Sequence, residues 1–145
     1  MDKGKQTKKS PAVRLSKAEQ ELVSAALSVR KRAYAPYSRF KVGAALRIAE
    51  GKIFLGCNVE NASYGATVCA ERHAVGCAVA EGCKDFIQLA IATSSSPPSP
   101  PCGICRQVLG EFAPKLKIIL VNTKGEFVRT RLDKLLPLAF SKEDL

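Results

Sequence analysis

Two short stretches constrain this 145-residue chain more than anything else in it: Cys69-Ala70-Glu71-Arg72 and Pro101-Cys102-Gly103-Ile104-Cys105. Cys102 and Cys105 have the spacing that closes on one metal ion, and Cys69 adds a third sulfur if the fold brings the stretches together. A structural zinc site normally takes four protein ligands, whereas a catalytic one takes three and leaves a position for water. Three thiolates and one nearby carboxylate point to the second kind, because a glutamate beside a zinc-bound water is placed to move its proton. One alternative stays open. His73 lies four residues after Cys69, on one helical face, and as a fourth ligand it would close the site into an inert staple.

The length suggests a single domain, and a hydrophobic share of 46% is enough for a core. No apolar run approaches the roughly 20 residues that span a membrane, and the Lys-rich start lacks the apolar centre of a secretory signal. The expectation is a cytoplasmic protein with no membrane partner. In that setting six cysteines speak for metal rather than disulfides. Cys57, Cys77 and Cys83 lack ligand spacing and read as small core hydrophobes. The net charge of +10 is uneven: residues 1–41 hold 11 Lys/Arg against 3 Asp/Glu, the remainder 12 against 10. A basic half can meet nucleic acid, but charge alone gives only non-specific binding. With no Trp there is no obvious stacking surface for single strands, so a solvated tail and helix end is the preferred reading and nucleic acid is not an expected partner.

Residues 1–14 read as a disordered basic tail and residues 15–145 as the folded domain. Ser16-Lys17-Ala18-Glu19 is a capping box. The apolar stripe Leu22, Val23, Ala26 and Leu27 predicts a helix from about Lys17 to Tyr34, with Arg30, Lys31 and Arg32 in its last turns and Pro36 ending it. Phe40–Ile48 and Ile53–Cys57 read as an antiparallel hairpin around Glu50-Gly51, and Asn58–Thr67 as a polar loop. Cys69–Ala80 is a helix, Phe86–Ala92 a buried strand, and Ser94–Pro101 a stiff loop. Its Pro97-Pro98-Ser99-Pro100 could serve as a polyproline ligand, though the loop must also deliver Cys102. Gly103–Phe112 is a helix stopped at Pro114, Ile118–Val121 and Phe127–Arg129 are strands, and a short helix starts near Thr130–Asp133 and ends at Pro137. Alternating strands and helices give an α/β fold: a three-layer α-β-α sandwich around a mixed five-stranded sheet.

Both cysteine groups fall at predicted helix N-termini, whose partial positive charge favours thiolates. Three thiolates would otherwise weaken the metal's pull on its water. Arg72 could offset more of that charge by hydrogen bonding to a sulfur, or could be a plain surface cation. Glu71 alone would be an ordinary acidic residue in a first helical turn; beside three cysteines it reads as the proton shuttle. The set matches the signature described for zinc deaminases, including the three-cysteine variant with a non-ligand Glu.

At these residues the chain resembles the cytidine deaminase family, in its short homotetrameric class. The resemblance runs from about Leu15 to Leu145 through Pro36-Tyr37-Ser38 with Phe40, Val42-Gly43-Ala44-Ala45, Gly56-Cys57-Asn58-Val59-Glu60-Asn61-Ala62, the two cysteine stretches with Arg106-Gln107, and Leu135-Leu136-Pro137. It implies that Cys69, Cys102 and Cys105 hold one zinc ion per subunit, that Glu71 is catalytic, and that Arg72 tunes the thiolate charge. It implies that Phe40, Asn58, Glu60 and Ala70 contact a nucleoside, Asn58 and Glu60 through the ribose. Phe140 would stack on the base of a neighbouring subunit's ligand, near Tyr64. The expected reaction is hydrolytic deamination of cytidine and 2′-deoxycytidine to uridine and 2′-deoxyuridine, a step of pyrimidine salvage, by a homotetramer. His73 departs from the family pattern, which has Thr there. Two other readings remain: a polynucleotide-editing deaminase using the basic half as a strand track, and a non-enzymatic zinc-stapled interaction domain with four protein ligands.

Overall fold

The computed structural model describes residues 13–145, so the expected basic tail lies outside the described residues apart from its last two positions. Five strands form one sheet in the order β2-β1-β3-β4-β5, with β1 Gly43–Ile48, β2 Ile53–Cys57, β3 Phe86–Thr93, β4 Lys117–Asn122 and β5 Phe127–Arg131. Only β3 and β4 run parallel; the other neighbouring pairs are antiparallel. The helices are α1 Lys17–Arg30, α2 Ala70–Ala80, α3 Gly103–Phe112 and α4 Leu132–Leu135.

The sheet is covered on both faces because its central strands are apolar at every other position twice over. Ala45, Ala90, Ala92, Ile119 and Val121 pack under Leu22, Val23 and Ala26 of α1. The intervening Ala44, Leu46, Leu89, Ile91, Ile118 and Leu120 pack against Ala70, Ala74 and Ala78 of α2, Leu109 of α3 and Leu132 of α4. This is the three-layer mixed sandwich expected from the sequence. Two glycines set how closely the layers approach. A Cβ on Gly43 would stand 2.1 Å from the Ala26 carbonyl oxygen of α1, and one on Gly56 would stand 2.1 Å from that of Ala70 in α2. Only a residue without a side chain lets the helix backbones lie so near the strands.

The capping box forms: the Ser16 hydroxyl accepts from the Glu19 amide at 3.2 Å, and Glu19 accepts from the Ser16 amide at 2.8 Å. The helix it starts is shorter than expected. α1 stops at Arg30, so of the three expected cations only Arg30 lies in its last turn. Tyr34 is taken up instead by pairing with the 58–60 segment, donating its amide to Asn58 O and accepting from the Glu60 amide. The hairpin strand begins at Gly43 rather than Phe40, because residues 40–42 are fastened by the Asn58 side chain instead. β5 runs two residues further than expected, to Arg131, since its pairing with β4 continues to Lys117.

Cys57 and Cys77 are not core residues, Cys57 being half-buried and Cys77 exposed, whereas Cys83, also half-buried, packs against the core. The inward face of α2 is Ala70, Ala74, Val75 and Ala78, which turns Cys77 outward. Cys57 ends the edge strand β2, and Cys83 sits in the turn after α2. In the proline segment Pro98 is buried, while Pro97 and Pro100 are exposed. No helix among the described residues is long and apolar enough to cross a membrane.

Candidate active site

α2 and α3 begin side by side. Cys69 is the N-cap of α2 and Cys102 that of α3, both in extended backbone conformation, and Cys105 lies in the first turn of α3. An N-cap residue normally spends its side chain on the helix's free amides; neither cysteine does so, which leaves both sulfurs available. The three Sγ atoms lie within 4.8 Å of one another, and Cys69 and Cys102 are 3.8 Å apart. Tetrahedral zinc with Zn–S bonds of about 2.3 Å sets its sulfurs about 3.8 Å apart, so the donor set fits that metal. The electrostatics agree. Hydrogen bonding with Cys105, opposed by burial and reinforced by Arg72, brings the Cys69 thiol down to about 5. The same bond, with burial and the Glu71 charge, drives Cys105 far up. All three sulfurs can be ionised together only with a cation among them.

Glu71 occupies the first turn of α2 and is 4% exposed. Burial pushes its carboxyl above the ordinary range, with the Cys69 charge adding to the rise. Arg72 donates from Nη2 to Thr67 O at 3.1 Å and approaches Cys69 Sγ at 3.8 Å. Its Nε is buried without a partner. His73 turns away: its Nδ1 lies 2.7 Å from Cys57 O, and the group of residues close enough to share an ion does not include it.

A cavity of about 320 Å³ opens beside the sulfurs, lined by Ser38, Phe40, Val42, Asn58, Glu60, Thr67, Cys69, Ala70, Glu71, Ile91, Thr93, Ser99, Pro100 and Cys102. Asn58 is buried and braces the cavity edge, accepting from the Val42 amide and donating to Phe40 O, each at 2.8 Å. Glu60 accepts from the Tyr37 and Ser38 amides at 3.0 and 3.1 Å. Desolvation there works against its charge, but the bonds from Ser38 and Tyr37 prevail and hold its carboxyl below the ordinary range. Thus Phe40, Asn58, Glu60, Ala70, Glu71, Cys69 and Cys102 meet at one cavity. Phe140 does not. It is 62% exposed and borders a separate groove with Gln107, Leu132 and Leu136. Tyr64, 76% exposed, touches the Tyr37 ring edge-on.

Sequence reasoning missed Thr93, Ser99 and Pro100 as cavity residues. One signal was available: in an α/β sheet, ligands gather at the carboxyl ends of parallel strands, and Thr93 ends β3 opposite Asn122 at the end of β4.

Residues 16–121 match the family model described as the cytidine and deoxycytidylate deaminase zinc-binding region. A cytidine deaminase from Sporosarcina psychrophila is 46% identical over 127 residues, covering 87% of this chain and 93% of that protein. A probable cytidine deaminase from Dictyostelium discoideum is 42% identical, covering 87% and 86%. Among solved structures, cytidine deaminase from Burkholderia pseudomallei superposes with a TM-score of 0.81 at 48% identity, covering 83% of this chain and 98% of that one. With both cysteine stretches inside the matched region and their sulfurs gathered at zinc-binding distance, the chain belongs to the zinc-dependent cytidine and deoxycytidylate deaminase family.

Proposed function

We propose that this protein hydrolyses cytidine and 2′-deoxycytidine to uridine and 2′-deoxyuridine, releasing ammonia. The observation that carries the reading is the buried Glu71 carboxylate set beside three converging sulfurs on the wall of a nucleoside-sized cavity. Cys69, Cys102 and Cys105 would hold zinc, which would supply a Lewis acid that makes water nucleophilic near neutral pH. Glu71 takes a proton from the attacking water and delivers it to the ring nitrogen next to C4 of the base. The water oxygen bonds to C4 as a hydroxyl, Glu71 then carries that hydroxyl's proton to the exocyclic amine, and the C4–N bond breaks so that ammonia leaves and the C4 carbonyl of the product forms. Arg72 offsets the thiolate charge through Cys69.

Asn58 spends one amide hydrogen and one lone pair on the backbone of residues 40–42, and its remaining hydrogen and lone pair serve the ribose. Glu60, already positioned by two amides, accepts from a ribose hydroxyl. Phe40 and Ala70 supply apolar contact to the nucleoside. Phe140, exposed and outside its own chain's cavity, stacks on the ligand of a neighbouring subunit, with Tyr64 near the same boundary. Exposed Leu138 and Phe140 support burial of this surface in a homotetramer with one zinc per subunit. Residues 15–145 form the deaminase domain, residues 1–14 are an appendage to it, and the enzyme works in the cytoplasm on salvaged nucleosides.

The test is ammonia release from zinc-loaded protein given cytidine, beside Glu71→Gln. Release by the wild type alone supports both the reaction and the shuttle. Near-normal turnover by the variant would remove Glu71 from that role, and silence from zinc-loaded wild type would refute the substrate.

A further inference from the structure

We propose that Asn122, Ser95 and Glu126 form a latch that positions Cys102 and the adjacent cavity wall, acting on metal retention and substrate fit from outside the cavity. The proposal rests on reading Cys102 as a ligand and the cavity as the nucleoside site.

Between the end of β3 at Thr93 and the start of α3 at Gly103 the chain has no helix or strand. This segment nonetheless supplies Ser99, Pro100 and Cys102 to the cavity. Its backbone groups must find partners elsewhere, and its shape must come from side chains. Asn122 is wholly buried. Its Oδ1 accepts from the Lys124 and Glu126 amides, each at 3.0 Å, and its Nδ2 donates to Ser95 O at 3.0 Å and to the Glu126 carboxylate. Both donors and both lone pairs are therefore in use. The Glu126 carboxylate also accepts from Ser96 Oγ at 2.7 Å.

On the cavity side, Ser95 Oγ lies 3.0 Å from Thr93 Oγ1 and bonds to Ser99 Oγ. The Ser99 amide approaches Thr93 Oγ1 at 3.5 Å. Thr93 and Ser99 are themselves cavity residues. A connected path thus runs from the β4–β5 turn through Asn122 and Ser95 to the wall beside Cys102. Shaping the β4–β5 turn would need only the Oδ1 half of Asn122, as in an Asx turn. The bonds to Ser95 O and from Ser96 Oγ reach across to the segment that carries the metal ligand.

Partners that orient a metal ligand typically carry about 10–100-fold in metal affinity or activity, and the latch acts one step further out. In zinc-loaded Ser95→Ala, which removes only the hydroxyl bridge, the Michaelis constant for cytidine is expected to rise about tenfold with kcat changed less. Zinc release to excess chelator, followed well below the melting temperature, should quicken about tenfold. Asn122→Leu should move both in the same direction and further; if it fails to fold, Ser95→Ala decides. A Ser95→Ala protein with a lowered melting temperature but wild-type Michaelis constant and zinc release would reduce the network to local stability and overturn the proposal. Should cytidine prove not to be the substrate, zinc release still reads the latch, so the two failures can be told apart.

Discussion

Gly56→Ala adds one methyl group where the edge strand meets α2. The new Cβ would stand 2.1 Å from the Ala70 carbonyl oxygen and 2.6 Å from the Ala74 amide nitrogen. Both are backbone atoms of a hydrogen-bonded helix and cannot swing aside as a side chain end can. Restoring ordinary contact at 3.4 Å requires the first turn of α2 to retreat by about 1.3 Å, since close-packed interiors offer no slack. That turn carries Cys69 and Glu71, whereas Cys102 and Cys105 ride on α3. A metal site tolerates ligand displacements of only about 0.2 Å, and a misplacement of about 1 Å can cost on the order of 10²-fold in rate. Overpacking should also cost about 1–3 kcal/mol of stability. The assay is kcat/KM for cytidine with zinc content and melting temperature measured on the same preparation. Gly76→Ala is the control, because it lies in the same helix with open space around its Cβ position; it should leave activity intact and stabilise by up to about 1 kcal/mol. A Gly56→Ala enzyme with wild-type activity and full zinc would refute the claim that this close approach sets the site.

Cys102→Ser should bind zinc far more weakly and lose ammonia release with it; metal analysis showing full occupancy would contradict its role as ligand. His73→Ala should keep zinc while losing about 1–3 kcal/mol of stability, because the Cys57 carbonyl loses its partner; loss of zinc with an intact fold would instead make His73 a ligand. The Glu19 carboxyl is held at about 2, first by its hydrogen bond from Arg129 and then by the Ser16 amide. A folded value below the unfolded one means a stabilising contribution fully present above roughly pH 4.5 and lost as pH falls toward 2. Glu19→Gln should flatten that acid limb in urea titrations and cost at most about 1 kcal/mol at neutral pH, since water screens the pair. An unchanged acid limb would remove this ion pair from the account.

The candidate site was legible where chemistry is written in local spacing. Cys102 and Cys105 share one helical turn, and Glu71 follows Cys69 by two residues, so either stretch suggests its chemistry before any fold is known. The bounds of α3, from Gly103 to Phe112, follow equally from local signals, with a cysteine at the N-cap and Pro114 beyond the end. The capping box set the start of α1 for the same reason. The end of α1 was not legible, because the pairing of Tyr34 with Asn58 and Glu60 that cuts it short joins residues distant in sequence. The burial of Cys57 and Cys77 was misread on similar grounds. A residue type's average preference says nothing about which face of α2 meets the sheet, and Cys77 lies on the other one.

By itself the sequence determined the candidate donor set, the carboxylate two residues after Cys69, the alternation of strands and helices, and through several ordered motifs the family. These reside in residue identity and short-range spacing, which the chain carries into any fold. Only the tertiary structure decided that the starts of α2 and α3 bring the sulfurs of Cys69 and Cys102 to 3.8 Å, that His73 turns to the Cys57 carbonyl rather than to the metal, and that Asn122 reaches across to the segment before Cys102. Each depends on how closely two layers pack, and that distance is set by contacts between residues far apart in the chain, down to the missing Cβ of Gly56.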